Sequence, residues 1–158
     1  MGARTAEVAA DTVCIAGFCG AASPELAPGD VVLATEVRSD DGVRSCAASP
    51  LLEEPLQRLG LRVTTGPIYS TAHVAGPAER ERLRGSGVLA VDMESYWLAE
   101  AADGTPVAVV RVIVDRAGRR LLHPATLPAG VRAFRALRRT APALAALDAL
   151  PQPEPLRY

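Results

Sequence analysis

The chain has 158 residues, 49% of them hydrophobic and 22% charged, with a formal net charge of −1 and a pI near 6.1. One domain of this size can bury a real core, and so even a charge balance removes the electrostatic case for a nucleic-acid or anionic-membrane partner. Cys14, Cys19 and Cys46 match no metal spacing, and the sequence carries neither a signal-peptide pattern nor an apolar run of transmembrane length. The expectation is a cytoplasmic protein with reduced thiols and no metal or cofactor.

Residues 1–150 read as the domain and 151–158 as a Pro-rich tail. Residues 7–11 have the composition of a helix end, and residues 12–18 (TVCIAGF) are a β-branched, apolar strand. That strand runs into Gly17, Cys19, Gly20, Ala21 and Ala22, small residues that either let a ligand approach the backbone or allow a tight turn. Pro28-Gly29-Asp30 marks a turn, and residues 31–37 form the next strand. Residues 38–49 are polar, a loop or a frayed hairpin. The segment 50–60 (PLLEEPLQRLG) reads as an amphipathic helix with Leu51, Leu52, Leu56 and Leu59 inward, Gly60 as its stop and Pro55 kinking or dividing it. A strand at 61–65 is broken by Gly66-Pro67, after which Ile68 and Tyr69 lead toward a pocket edge. Gly76-Pro77 open a short charged helix, 78–84, expected to be a solvated face.

The chain is organised around residues 88–115, VLAVDMESYWLAEAADGTPVAVVRVIVD. A strand at 88–91 leads into an acid-rich helix start, Asp92-Met93-Glu94-Ser95. The helix runs to residue 102, a Gly-Thr-Pro turn breaks it, and an apolar strand at 107–114 ends on Asp115. This is a strand–helix–strand unit with carboxylates at two connections, where open α/β sheets place chemistry. A loop at 116–128 carries His123, and residues 129–150 form an Ala/Leu/Arg helix or helix pair broken near Pro142. Strands with intervening helices predict an α/β fold, a mixed, mostly parallel central sheet with helices on both faces.

Asp92 falls where a helix N-cap belongs, so it either caps the first turn or meets a ligand. In that frame Ser95 takes the third helical position, and Glu94 is not the acid of a capping box. Its carboxylate either faces the helix dipole or takes the hydroxyls of a sugar. Met93 and Trp97, four apart, share a face that packs in the core or on a sugar ring. Arg111 stands in the middle of a buried strand and needs a counter-charge. Asp115, on the same strand face, and Glu94 are the candidates. Asp115 is either that structural partner or, at the carboxyl end of the strand, a general acid for a bound ligand. His73 and His123 carry no specific signal.

These residues resemble the purine nucleoside phosphorylase / methylthioadenosine–S-adenosylhomocysteine nucleosidase superfamily. That family carries a helix start of the type acid-Met-Glu, here Asp92-Met93-Glu94, followed by a strand ending Arg-x-x-x-Asp, here Arg111 to Asp115. The stretch GFCGAASPELAPGDVVLATEV, residues 17–37, resembles the family's glycine-rich turn and its PGD-V-V segment, and Gly66 stands at its glycine before the base-binding region. Four matches in order are far more specific than any one of them. The resemblance implies that Met93 and Glu94 contact ribose and that Asp115 protonates the purine N7 as the glycosidic bond breaks. It also implies that Gly17 and Gly20 let the substrate approach and that Ile68 and Tyr69 lie near the base. The family's usual Ser before the acid is Val114 here. DMESYWLAE and RVIVD are most similar to the hopanoid-associated nucleosidase/phosphorylase group, which implies adenosylhopane as a substrate.

Phosphorylases of the superfamily hold phosphate with an Arg and a Ser around the first glycine turn, and Ile15 and Phe18 stand at those places. The resemblance therefore implies hydrolysis by water. The family's opening strands, with the Glu that activates water in nucleosidases, have no counterpart in the chain, so the expected fold is N-terminally incomplete. Two functions follow. One is an N-ribosyl hydrolase that releases adenine from a 5′-substituted adenosine, with a phosphate-dependent phosphorylase as its variant; the other is a nucleoside-binding or scaffold protein without turnover. Both take a small-molecule nucleoside, and the family's habit implies a homo-oligomer.

Overall fold

The computed structural model describes residues 12–118 and 126–149. Six strands are present among them: β1 (Val13–Ala21), β2 (Val31–Ser39), β3 (Gly42–Ser45), β4 (Val63–Ser70), β5 (Ala90–Asp92) and β6 (Val107–Asp115). The helices are α1 (Glu53–Arg58), α2 (Pro77–Gly85), α3 (Ser95–Ala101) and α4 (Thr126–Ala145). The sheet order is β3-β2-β4-β5-β1-β6, and β2 also pairs with β6, so five strands close into a ring with β3 appended. The longest pairings, β1–β6 and β2–β4, are parallel, and β1–β5, β2–β3 and β2–β6 are antiparallel. The architecture is a mixed α/β sheet, as the alternating pattern implies.

Strand alternation sorts the core onto two faces. Val32 and Ala34 of β2 with Val109 and Ile113 of β6 pack beneath Tyr96 and Ala99 of α3. Val31, Leu33, Ala108, Val110 and Val112 pack against Leu52, Leu56 of α1, and Ala133, Ala136 and Ala143 of α4. A third cluster joins Leu83 of α2 to Ala22, Ala75, Val88 and Val91. Every residue of β6 except Val114 is buried, and each buried aliphatic side chain there contributes roughly 1.5–3 kcal/mol. That strand is the axis on which the site is mounted.

Several local expectations change. Gly66-Pro67 does not break β4, which runs through both residues to Ser70. A Cβ on Gly66 would lie 2.5 Å from Leu89 Cδ1, so the glycine admits Leu89 and the strand continues. The polar stretch after β2 is a hairpin, β2–β3, turned at Gly42 with φ 144°. Pro55 sits in the first turn of α1, where no backbone N–H is required, and a 3₁₀ turn, Ser49–Leu52, precedes it. Pro142 does not break α4, since the carbonyl its ring frees belongs to exposed Arg138 and water can satisfy it. The helix at 78–84 is not a wholly solvated face, because Arg80 turns inward and is buried. The helix end at 7–11, His123 and the Pro-rich tail lie outside the described residues. Among those residues no helix is long and apolar enough to cross a membrane.

Candidate active site

The two connections flagged in the sequence meet at one end of the ring. At the end of β5 the chain turns through Asp92, Met93 and Glu94 before α3 begins at Ser95, one residue after a geometric N-cap at Glu94. Asp92 is therefore not the N-cap residue, although it does part of that work from two positions upstream. Its Oδ1 accepts from the Glu94 and Ser95 amides at 3.3 and 3.2 Å and from Ser70 Oγ at 2.5 Å. Its other oxygen accepts from Ser95 Oγ and meets Arg111 Nε at 2.9 Å. Asp92 is thus committed to structure.

Arg111 finds its counter-charges in Asp92 and Glu94, not in Asp115. Nη1 donates to Glu94 Oε1 at 2.7 Å and Nε donates to Ser95 Oγ at 2.9 Å. The arginine side chain is 1% exposed and that of Glu94 59%, so a buried cation anchors a carboxylate that opens on the cavity. Buried Nη2 has no hydrogen-bond partner among the described residues. Gly17 makes this possible, since a Cβ there would come within 2.1 Å of Arg111 Nη1. Gly17 accordingly makes room for Arg111 and is absent from the cavity wall.

Asp115, at the carboxyl end of β6, is taken by Arg80 of α2. Nη1 donates to Oδ1 and Nη2 lies against Oδ2, both at 3.0 Å. Arg80 also donates to the carbonyls of Ala75 and Ala21, which ties the pair to the loop before α2 and to the end of β1. Gly20 lies directly beneath, where a Cβ would be 2.7 Å from both guanidinium Nη atoms and from Asp115 Oδ1.

Between these two clusters is a cavity of about 320 Å³, at the small end of the range for ligand sites. Gly20, Met93, Glu94, Asp92 and Arg80 line it together with Phe18, Cys19, Val91 and Val114 and the loop residues Thr71, His73, Val74 and Ala75. Burial, followed by the charge of Asp92, pushes the Cys19 thiol up and keeps it neutral. Phe18, Val74 and Met93 are exposed apolar side chains gathered at this one opening. Ile68 is not in the wall; it is fully buried in the core beneath α3. Tyr69 turns its hydroxyl to Asp40 at 2.5 Å, in the β2–β3 turn. Because β4 runs on to Ser70, the chain reaches the cavity only afterwards, at residues 71–75.

Arg80 and Val74 carry no assignment to this cavity from sequence, although Arg80 had a readable signal. It lies three residues before Leu83, the one large apolar residue in AERERLR, so both share the inward face of α2. His73 Nε2 is 2.9 Å from Glu79 Oε2 at the cavity mouth.

A family model described as the phosphorylase superfamily matches residues 2–150. The chain belongs to the phosphorylase superfamily. No curated protein matches it. Among solved structures it is similar to the 5′-methylthioadenosine/S-adenosylhomocysteine nucleosidase of S. pneumoniae bound to a transition-state inhibitor. The TM-score is 0.68 at 27% identity, covering 87% of this chain and 68% of that one. The corresponding nucleosidase of Campylobacter jejuni gives 0.71 at 19% identity, covering 88% and 68%. A futalosine hydrolase mutant of Helicobacter pylori gives 0.69 at 17% identity, covering 88% and 67%. This superfamily member is an enzyme of the nucleosidase or phosphorylase type.

Proposed function

We propose that the chain hydrolyses the N-glycosidic bond of a 5′-substituted adenosine and releases adenine. The observation that carries this is one cavity with two differently built polar ends, Glu94 anchored by Arg111 and the Arg80–Asp115 pair. Glu94, with Met93 beside it, takes the ribose hydroxyls and stabilises the electron-poor sugar of the transition state. Asp115 serves the leaving base. The C1′–N9 bond breaks with its electron pair on the purine, and water supplies the oxygen that bonds C1′ and the proton that adenine carries away. Phe18, where the resemblance places a phosphate-holding Ser, favours water over phosphate as the acceptor. The apolar opening of Phe18, Val74 and Met93 supports an apolar 5′ substituent, adenosylhopane being the finest form of this proposal. A cytoplasmic homo-oligomer completes it, supported by three free cysteines and by an outer edge of β1 that pairs with β5 only at Gly20 and Ala21.

A second reading, nucleoside binding without turnover, is favoured by one observation. Asp92, Glu94 and Asp115 are each engaged by an arginine, so none of the three is left free to activate water. Incubation with 5′-methylthioadenosine in phosphate-free buffer separates the readings. Adenine release independent of phosphate, falling about 100-fold or more in Asp115→Asn, supports hydrolysis. A rate that requires phosphate returns the phosphorylase, and a thermal shift without release returns the binder.

A further inference from the structure

We infer that the outward stripe of α4, formed by Val131, Phe134, Arg135 and Arg138, is a docking surface for an anionic lipid bilayer. The inference stands apart from the reaction proposed above, because α4 contributes no residue to the cavity wall.

The inner side of α4 is already used. Ala133, Ala136 and Ala143 pack in the core against the sheet, and Thr140 is buried with its hydroxyl donating to the Leu137 carbonyl at 2.6 Å. At about 3.6 residues per turn, Val131, Phe134 and Arg138 fall on one stripe turned away from that core, with Arg135 beside it. Val131 is 48% exposed and Phe134 55%. Phe18, Val74 and Met93 owe their exposure to the cavity opening, whereas these two stand one turn apart on a single helix outside its wall.

The charge on this helix is one-sided. Residues 126–145 carry Arg132, Arg135, Arg138 and Arg139 and no acid. Arg139 donates to the Leu59 carbonyl, and the stem of Arg132 lies against Gly29. Arg135 and Arg138 have no hydrogen bond or ion pair among the described residues. The exposed arginines of α1 and α2 differ, since each is held by an acid of its own helix: Arg58 by Glu54, Arg82 by Glu79 and Arg84 by Glu81. An even charge balance over the whole chain therefore conceals a local cationic face, because the balancing acids lie on other elements. Free guanidinium groups around two apolar anchors match an anionic bilayer, with the cations at the headgroups and the valine and phenylalanine in the acyl boundary. A nucleic-acid face would set its cations along a phosphate track and has no use for an exposed aliphatic side chain at its centre.

The test is flotation of the full chain with vesicles of equimolar phosphatidylcholine and phosphatidylglycerol, against phosphatidylcholine alone. The parent is expected to bind the anionic vesicles at least about tenfold more tightly and to lose that preference at high salt. Arg135→Gln combined with Arg138→Gln should weaken binding about 25-fold, roughly fivefold for each charge. Arg82→Gln combined with Arg84→Gln removes the same charge from α2 and should leave binding unchanged. Phe134→Ser should weaken it about tenfold with the salt dependence kept. In Phe134→Trp, lipids brominated in the upper acyl chain should quench the added indole beyond the quenching of Trp97 in the parent. A parent that binds neither vesicle, or both equally, overturns the inference without any variant having to fold. Equal weakening by the two arginine pairs also overturns it, since overall charge would then suffice. Duplex DNA bound where vesicles are not would assign the face to nucleic acid. A dimer that Phe134→Ser splits, with vesicles unbound, would assign it to a second copy. Either result overturns the bilayer.

Discussion

Glu94 and Arg111 meet at 2.7 Å across the boundary of the core, the arginine 1% exposed and the glutamate 59%. One partner is buried and the other opens on the cavity, so the two should respond differently to substitution. Arg111→Met leaves Asp92 as a buried charge without its cation and should cost about 3–5 kcal/mol of stability. Glu94→Gln should leave the denaturation midpoint nearly unchanged and weaken ribose-bearing ligands about tenfold, with free adenine little affected. Urea denaturation and calorimetry on the two variants check both halves.

The glycines beneath the ion pairs should be separable from the others. Gly17→Ala and Gly20→Ala place a methyl within 2.1 and 2.7 Å of guanidinium nitrogens, and each should lose about 1–3 kcal/mol through forced displacement of a buried arginine. At Gly85, near the end of α2, nothing lies within 4 Å of an added Cβ. Gly85→Ala should be neutral or stabilise by up to about 1 kcal/mol. Thermal unfolding of the three variants side by side distinguishes them, and equal losses at all three positions would refute the steric account.

Tyr69 gives a pH signature. The hydrogen bond to Asp40, then burial, raises its hydroxyl to about 12 from an ordinary 10.0. A raised folded value means that the folded state holds the proton more tightly. The contribution is complete below pH 10 and is lost as pH rises toward 12. Melting temperatures of the parent and Tyr69→Phe should differ below pH 10 and converge above it. A constant difference across that window would mean the hydroxyl contact is not what stabilises the parent.

The thiols should be inert in the native state. Burial raises Cys14, pushes Cys46 up to about 12 and raises Cys19 further still, and a protonated thiol is a poor nucleophile. At pH 8, alkylation of Cys19 and Cys46 should track global unfolding. Rapid labelling of Cys19 without denaturant would show that the cavity floor opens locally.

The free edge of β1 leads to an expectation about assembly. Val13 to Cys19 pair with β6 on one side and, among the described residues, carry no strand on the other, while Phe18 is exposed there. An unpaired edge of that length is a template for another strand. Sedimentation should find a second copy bound, and a stable monomer across the micromolar range would count against it.

What was legible in the sequence is what short-range periodicity carries. The run VAVVRVIVD can only be a buried strand, DMES followed by an amphipathic turn can only open a helix, and their order implies the α/β class and the carboxylates at its connections. Pairings between distant elements are not encoded that way. Arg111 could have chosen Asp115 by strand parity, but the turn at residues 92–94 brings two carboxylates closer, and a buried cation takes the counter-charges that geometry offers first. The charge of Arg80 is not assigned a partner by the sequence until its guanidinium is set beside the ends of β1 and β6, where its acceptors among the described residues are Asp115 and two carbonyls. Ile68 and Tyr69 could be placed near a pocket from sequence, but β4 outlasts Gly66-Pro67 and delivers residues 71–75 to the cavity instead. The ring itself, closed by β2 against β6, depends on side chains more than 70 residues apart, and only burial in three dimensions brings them together.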